Sequence, residues 1–337
     1  MEKVMSRKLI TISTIMTLMS TSVIADVPNV AADIAPIHSL VSRVMDGVGA
    51  PKLIVQSGAS PHGYRLRPSE AKALQDADHV FWMGEELTPW LDSAIGTLAS
   101  KASVTTLLDQ QGVILHDFRE GALFEAHDHS AHGDDDHDDH DDHDDHDDHK
   151  DHDDHDDHKD HDDHDDHGSH DPHAWLSPEN AKLWLNIIAS KLSVSDPENA
   201  ATYFMNAAAG QAEIEAMIAE VKATLKPVQG GKFVVFHDAY QYFENDFDFY
   251  ASGAISLGDS SDPSPARIEK VQKRIRDEGI QCVLAEPQFK KGLVATVMEG
   301  SDATASVIDP LGAELETGPK FYTRLIKNMA KTLRNCL

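Results

Sequence analysis

Residues 177–226, SPENAKLWLNIIASKLSVSDPENAATYFMNAAAGQAEIEAMIAEVKATLK, decide the fold of this chain. The stretch opens with Ser177 in a position suited to an N-cap, Pro178 at the first helical position and Glu179 in the first turn. Serine side chains cap helix N-termini, and proline is tolerated at the first helical residue because its missing N–H would have no partner there. These signals predict a helix that runs to about Leu192.

A second helix is predicted directly after the first. Asp196 as its cap and Pro197 in its first turn open a pattern that continues to Lys226, with Gly210 as its one glycine. Such a helix has roughly 30 residues and, at 1.5 Å per residue, a length of about 45 Å. A helix of that length can join two lobes.

Upstream of this helix pair, short apolar runs alternate with helical patterns. The apolar runs are 29–34, 52–55, 79–83 and 104–108, and the helical patterns are 36–45, 68–76 and 86–98. This alternation is typical of an α/β lobe with a parallel sheet.

The alternation resumes after the long helix. Apolar runs at 233–236, 281–285 and 305–308 flank a helix opened by Ser264 and Pro265, and an amphipathic helix begins at Phe321. We therefore expect an α/β fold of two similar (β/α) lobes joined by one long backbone helix, with a cleft between the lobes. The predicted boundaries are 26–196 for the N-terminal lobe, 197–226 for the linking helix and 227–337 for the C-terminal lobe.

The first 25 residues have the composition of a secretory signal peptide. Basic residues precede an apolar run from Leu9 to Val23, and small residues follow before Asp26. An uncleaved anchor is the alternative, but the run is short for a span of about 20 apolar residues. We expect cleavage and an exported, soluble protein, with no cysteine near the cleavage point to carry a lipid.

Most of the negative charge comes from one segment. The formal net charge is −29, and residues 127–170 contain 22 aspartates against two lysines. With 40% hydrophobic residues overall, the remainder of the chain can form real cores. No basic patch indicates a nucleic-acid partner.

The segment 127–170 repeats Asp-Asp-His and contains almost no apolar side chain, so it predicts a disordered loop inserted in the first lobe. Imidazoles and carboxylates together predict many weak, exchangeable metal sites, while a solvated acidic spacer is the alternative. The histidines of this accessory loop are His127, His129, His132, His137, His140, His143, His146, His149, His152, His155, His158, His161, His164, His167 and His170.

The chain has two cysteines, Cys282 and Cys336. In an exported protein, an even count favours one disulfide over a metal or redox motif. Two free buried thiols are the alternative.

Six histidines lie outside the loop, and three of them lie where loops adjoin predicted elements. His62 follows the run 52–55, His237 follows the run 233–236, and His173 precedes the capped helix. Open α/β sheets bind ligands beyond the carboxyl ends of their strands, which favours one shared site. The alternative is that each is an isolated structural or surface histidine, because their spacing matches no local zinc motif. The others, His38, His79 and His116, are interpreted as surface residues.

Five segments resemble the zinc-binding proteins of ABC importers, the ZnuA type. They are GASPHGYRLRPSE (58–70), DPHAWLSPENAK (171–182), VVFHDAYQYFE (234–244), LAEPQ (284–288) and IDPLGAE (308–314). The resemblance covers nearly the whole mature chain. It implies two lobes joined by a rigid helix, an acidic His-rich insertion, a disulfide from the near-terminal cysteine and a monomer.

The resemblance also implies a metal site in the cleft, with His62, His173 and His237 as nitrogen ligands. Some members have a glutamate directly before the first histidine, where this chain has Pro61. The fourth ligand is therefore either Asp309 or water, and turn capping is the alternative role for Asp309. Manganese-binding relatives tend to have a carboxylate in place of His237, so three imidazoles favour Zn²⁺.

The function expected from these features is zinc capture in the periplasm and delivery to an integral-membrane permease with its ATPase. Zinc is then the transported ligand and not a catalytic cofactor, and the protein is not an enzyme. The loop either collects zinc or senses its sufficiency, and periplasmic zinc chaperones are further candidate partners. Affinity should fall below about pH 6, because imidazoles with an ordinary pKa near 6.5 must be neutral to bind.

Two other functions fit part of the pattern. Three histidines and a water on zinc also form hydrolase sites, although no general base is evident beside them. A periplasmic zinc buffer or chaperone would act mainly through the loop.

Overall fold

A computed structural model describes residues 27–119, 124, 170–256, 263–288 and 291–337. The predicted signal peptide and the loop histidines from His127 to His167 lie outside the described residues. His170 is the loop histidine within them.

The first lobe is built on a parallel sheet with the strand order β2-β1-β3-β4. Its strands are β1 (Val30–Ala32), β2 (Lys52–Leu53), β3 (His79–Trp82) and β4 (Ser103–Thr106), and its helices are α1 (Ala35–Val44), α2 (Pro68–Gln75) and α3 (Pro89–Leu98). The strand order reverses direction at β1 and β3, and such switch points place ligands beyond the carboxyl ends of the strands.

The second lobe repeats this topology with the order β6-β5-β7-β8, again all parallel. Its elements are β5 (Phe233–His237), α6 (Gln241–Phe247), β6 (Ala254–Ser256), α7 (Pro265–Glu278), β7 (Cys282–Ala285), α8 (Lys291–Met298), β8 (Thr304–Val307) and α9 (Phe321–Cys336). Elements α6, β6 and α8 were not predicted from the sequence, because elements of three to eight residues give little periodicity. The predicted α/β fold of two parallel-sheet lobes is confirmed.

Two long helices, α4 (Pro178–Ser195) and α5 (Ala200–Leu225), lie between the lobes in the chain. The Ser177 cap is confirmed, since its side chain accepts from the backbone N–H of Asn180. The Asp196 cap was wrong: α5 begins after Asn199, and Asp196 ends α4. The buried Asp196 carboxylate accepts instead from the hydroxyl of Tyr203 at 2.7 Å. The 26 residues of α5 span about 39 Å.

Helix α5 packs against α4, α1 and α9. One buried residue appears every three or four positions along it, which gives one apolar face directed at these helices; the buried residues are Tyr203, Ala207, Gly210, Ile214, Met217, Val221 and Leu225. A Cβ on Gly210 would lie 2.9 Å from Leu185 Cδ1 of α4, so glycine permits the close approach of the two helices. Among the described helices, none combines the length and apolar character that a membrane span requires.

The C-terminal helix α9 is connected to both lobes, by a disulfide and by hydrogen bonds. Cys282 of β7 and Cys336 of α9 form a disulfide, which confirms the predicted pairing. At the other end of α9, the Ser39 hydroxyl of α1 accepts from the backbone N–H of Tyr322 at 3.0 Å. The Tyr322 hydroxyl donates to the carbonyl of Trp175 at 2.9 Å. These contacts hold the segment that contains His173 against the second lobe.

Candidate metal centre

His62, His173 and His237 line one small cavity between the lobes, together with Glu286 and Gln288. The Nε2 atoms of His173 and His237 lie 3.4 Å apart. The ring centroids of His62 and His173 are separated by 5.8 Å. The cavity has a volume of about 20 Å³, and about 10–15 Å³ suffices for one water. The structure therefore brings together the three histidines that the sequence selected, around room for one ion or water.

His237 is the last residue of β5 and is 5% exposed. Its Nδ1 lies 2.6 Å from Oε1 of Glu286, which follows the neighbouring strand β7. A neutral imidazole that donates from Nδ1 to a carboxylate keeps a lone pair on Nε2, the atom that faces His173. Glu286 thus fixes both the ring orientation and the tautomer that suits metal binding.

His173 has a matching carboxylate partner. Asp171 Oδ1 accepts from the backbone N–H of His173 at 3.0 Å and lies 2.6 Å from its Nδ1. Burial alone would raise the pKa of Asp171, but the charge and hydrogen bonds of His173 outweigh burial and hold that pKa below its ordinary value. Asp171 therefore remains ionised and orients the ring, and Trp175 packs on it with centroids 5.2 Å apart.

His62 lies on the loop between β2 and α2 and is half-buried. The indole of Trp90 donates to the carbonyl of Pro61 at 2.6 Å and so holds the loop next to the histidine. Gly58 begins this turn with φ of 83°, a conformation that glycine adopts without strain. Among the described residues, no three His, Cys, Asp or Glu side chains are already spaced as a complete metal site. His62 is the most exposed member of the triad, since His173 and His237 are buried.

The Asp309 carboxylate is engaged in its own turn. It accepts from the backbone N–H groups of Leu311, Gly312 and Ala313 at 3.0, 2.8 and 2.5 Å. Pro310 and Leu311 line the cavity, whereas Asp309 is absent from its described lining. This geometry matches the capping role, and metal ligation by Asp309 stays a prediction.

Three further residues at the site, Asp171, Glu286 and Gln288, were not predicted from the sequence. They belong to the motifs DPH and EPQ, in which a carboxylate lies two residues before a histidine and two polar residues follow a strand. The partner of His237 could not be read from these motifs, because Glu286 is 49 positions away, whereas the partner of His173 lies two positions before it.

The base of the acidic insertion is clamped across the lobes. The single Nε–H of Arg119 is shared between the two Asp238 carboxylate oxygens, each 3.0 Å away, and an amino group donates to Glu244 at 2.6 Å. Burial would lower the pKa of Arg119, but these two carboxylates raise it above its ordinary value. Asp117 and His170 form an isolated bridge on the same side, with the His170 ring 2.8 Å from the Asp117 carboxylate.

The surface interpretation of the remaining histidines was wrong for His79. It is 5% exposed, because it opens the central strand β3, and its Nε2 lies 2.6 Å from the Ser195 hydroxyl. His38 and His116 are half-buried, the first 3.2 Å from the carbonyl of Pro51. Their absence from the described cavity lining agrees with the sequence prediction that they are not part of the triad.

Comparisons with known proteins agree with this architecture. The family of periplasmic zinc-uptake complex component A, ZnuA, matches residues 30–336. The high-affinity zinc uptake system protein ZnuA of Brucella abortus (strain 2308) is 49% identical over 308 residues, which are 91% of each chain. The protein of that name from Paracoccus denitrificans (strain Pd 1222) is 45% identical over 93% of each chain. A crystal structure of ZnuA has the same fold, with a TM-score of 0.69 and 20% identity over 92% of this chain and 99% of that one. The chain belongs to the ZnuA family of periplasmic zinc-uptake components.

Proposed function

We propose that this protein captures zinc in the periplasm with His62, His173 and His237 and delivers it to the permease of an ATP-driven zinc importer. The main support for this proposal is that three imidazoles line one cavity of about 20 Å³. Relatives that share nearly half of its residues are named high-affinity zinc uptake proteins.

The donor set favours zinc over the harder divalent ions. Imidazole nitrogens suit Zn²⁺, whereas Mn²⁺ and Mg²⁺ prefer oxygen ligands in expanded coordination. Both flanking carboxylates, Asp171 and Glu286, are engaged with Nδ1 of a histidine. The proposed site therefore offers three imidazole nitrogens. Of the two candidates for the fourth ligand, water and Asp309, the hydrogen bonds that hold Asp309 in its own turn favour water.

Transport fits the site better than catalysis. A cavity of about 20 Å³ accepts an ion, whereas pockets for organic substrates have volumes of about 300–1,000 Å³. Family membership supports the same conclusion, because ZnuA proteins are components of uptake systems. The zinc is cargo, bound and released without a covalent step.

The acidic insertion acts as an accessory to this site, as a zinc collector or as a sensor of sufficiency. Export by the predicted signal peptide, residence in the periplasm as a monomer, and exchange with periplasmic zinc chaperones belong to the same proposal. The second candidate is a periplasmic zinc buffer that acts through the insertion, which the repeated histidines of residues 127–170 favour.

A zinc titration under chelator competition separates the two candidates. The samples are the mature chain, a deletion of residues 127–169 that keeps the Asp117–His170 bridge, and that deletion with His62→Ala, His173→Ala or His237→Ala. His38→Ala is the matched control, since His38 is a partly buried histidine outside the described cavity lining.

One tight site should survive the deletion, weaken sharply in each triad variant and persist in the control. Loss of tight binding with the insertion alone would transfer the function to the buffer. A titration with Mn²⁺ on the deletion variant should show much weaker binding than Zn²⁺, and equal affinities would contradict the choice of metal.

A further inference from the structure

Gln288 carries an amide whose polar atoms are buried and have no partner among the described residues. Both Nε2 and Oε1 are shielded from solvent, and neither has a hydrogen-bond partner among the described residues. Buried polar groups in native proteins are nearly always paired, because an unpaired one loses its hydration without compensation. An orphaned amide at this position needs a ligand or a water to satisfy it.

This amide lines the triad cavity. Gln288 borders the same space as His62, His173 and His237. It lies two residues after Glu286, on the segment that leaves β7 and also orients His237. A group on this short segment is held in a fixed relation to the metal-binding ring.

The nearby carboxylates already have other partners. Glu286 Oε1 is engaged with His237, and Asp171 Oδ1 with His173. Asp309 accepts from three backbone N–H groups of its own turn. Gln288 is the described residue of the cavity lining for which both polar atoms are buried and unpaired.

We propose that Gln288 is a positioning residue of the zinc site, and that its amide oxygen accepts a hydrogen bond from the water that completes the coordination of the metal. The inference rests on the proposed role of the three histidines. Zinc makes its bound water a stronger hydrogen-bond donor by lowering the pKa of that water, and groups of this kind around metal sites commonly change affinity by about 10–100-fold.

The proposal predicts opposite effects on binding and on the stability of the metal-free protein. Gln288→Met removes the orphaned amide with little change in volume, so the metal-free melting temperature should stay level or rise. The same variant should lower zinc affinity by about tenfold, since the water loses its acceptor. Gln288→Glu keeps an acceptor oxygen and should restore most of the affinity.

The experiment uses the full mature chain and three measurements. Zinc affinity is measured by chelator competition, metal-free stability by thermal unfolding, and the coordination of Co²⁺ by its visible absorption, which reports a change at the metal-bound water. Gln75→Ala, an exposed glutamine of α2, is the matched control and should change none of them.

Two results would overturn the inference. One is a Gln288→Met protein with unchanged zinc affinity and unchanged Co²⁺ absorption; the other is a fall in metal-free stability without a change in affinity, which would make Gln288 purely structural. The triad variants keep the two proposals distinct. If they lose tight binding while Gln288→Met does not, only this inference fails; if they retain it, the proposed site itself fails.

Discussion

The two lobes share one sheet topology but present their histidines differently. In the second lobe, His237 is part of a strand, is 5% exposed and is braced by Glu286. In the first lobe, His62 lies on a loop and is half-buried. Strand ends are fixed by the hydrogen bonds of the sheet, whereas a loop can change its conformation at a lower free-energy cost. We therefore expect the strand-held histidine to form a fixed half of the proposed metal site and the loop that carries His62 to form an adjustable half.

His173 belongs with the fixed half although it precedes α4. Its partner Asp171 accepts from the Gln241 amide of α6 at 3.3 Å, and the Asp171 carbonyl accepts from the Tyr242 hydroxyl at 2.7 Å. The segment is therefore fastened to the second lobe. Two of the three imidazoles are each oriented by a carboxylate, His237 by Glu286 and His173 by Asp171, and we expect the loop of His62 to make the main adjustment on metal binding.

The largest expected effect comes from removing Arg119, which links the two lobes through ion pairs with Asp238 and Glu244. Arg119→Met leaves the buried carboxylates of Asp238 and Glu244 without their counter-charge, and removal of one partner of such a network costs about 3–5 kcal/mol. Urea unfolding measures the loss. Lys72→Met, which removes an exposed pair with Asp76, should cost about 0–1 kcal/mol. An equal loss of unfolding free energy in the two variants would show that the Arg119 ion pairs do not stabilise the contact between the lobes.

The second prediction compares the zinc affinity lost when His237 or His62 is replaced. His237→Ala should weaken zinc binding by more than the 10–100-fold typical of outer-shell partners. His62→Ala should weaken it less, because the two braced imidazoles still hold the ion. Competition titrations on both variants give the ratio. A larger loss for His62→Ala would reverse the comparison between the lobes.

A smaller effect on zinc affinity is expected from the two carboxylates that orient the histidines, Glu286 and Asp171. Glu286→Gln and Asp171→Asn keep the shape but remove the charge that favours the Nδ1–H tautomer, so zinc affinity should fall by about 10–100-fold. The control is Glu70→Gln, a buried carboxylate of the first lobe that accepts from Tyr64 at 2.8 Å. It should lower stability but leave zinc affinity within a few-fold. An equal loss of zinc affinity in the control would mean that Glu286 and Asp171 affect binding only by stabilising the folded protein.

The smallest effect concerns the loop that carries His62. Gly58→Ala places a Cβ 3.6 Å from that of Ala313, an ordinary contact, so the strain comes from φ of 83° alone. A non-glycine residue in this region costs about 1–2 kcal/mol. Zinc affinity should fall by less than tenfold if the loop adjusts, as titration of the variant would reveal. A loss as large as that of His62→Ala would make the loop as rigid as β5.

Local signals were read correctly where the interaction itself is local. Ser177 and Ser264 cap α4 and α7 as predicted, since a cap joins a side chain to an N–H three residues away. The Asp196 prediction was wrong because its carboxylate, in the turn that precedes α5, accepts from Asn199 and Tyr203, and the Tyr203 contact spans seven positions. His79 was misread because its burial depends on the position of β3 inside the sheet.

The sequence by itself determined the two α/β lobes, the long helices between them, the family and the three histidines. These follow from periodicity, caps and quoted motifs, all of which are properties of neighbouring residues. Only the tertiary structure decided that Glu286 orients His237, that Asp309 is held by its own turn, and that Gln288 has no hydrogen-bond partner among the described residues around the cavity. The Glu286–His237 pair joins residues 49 positions apart, and such a pairing is set by the whole fold.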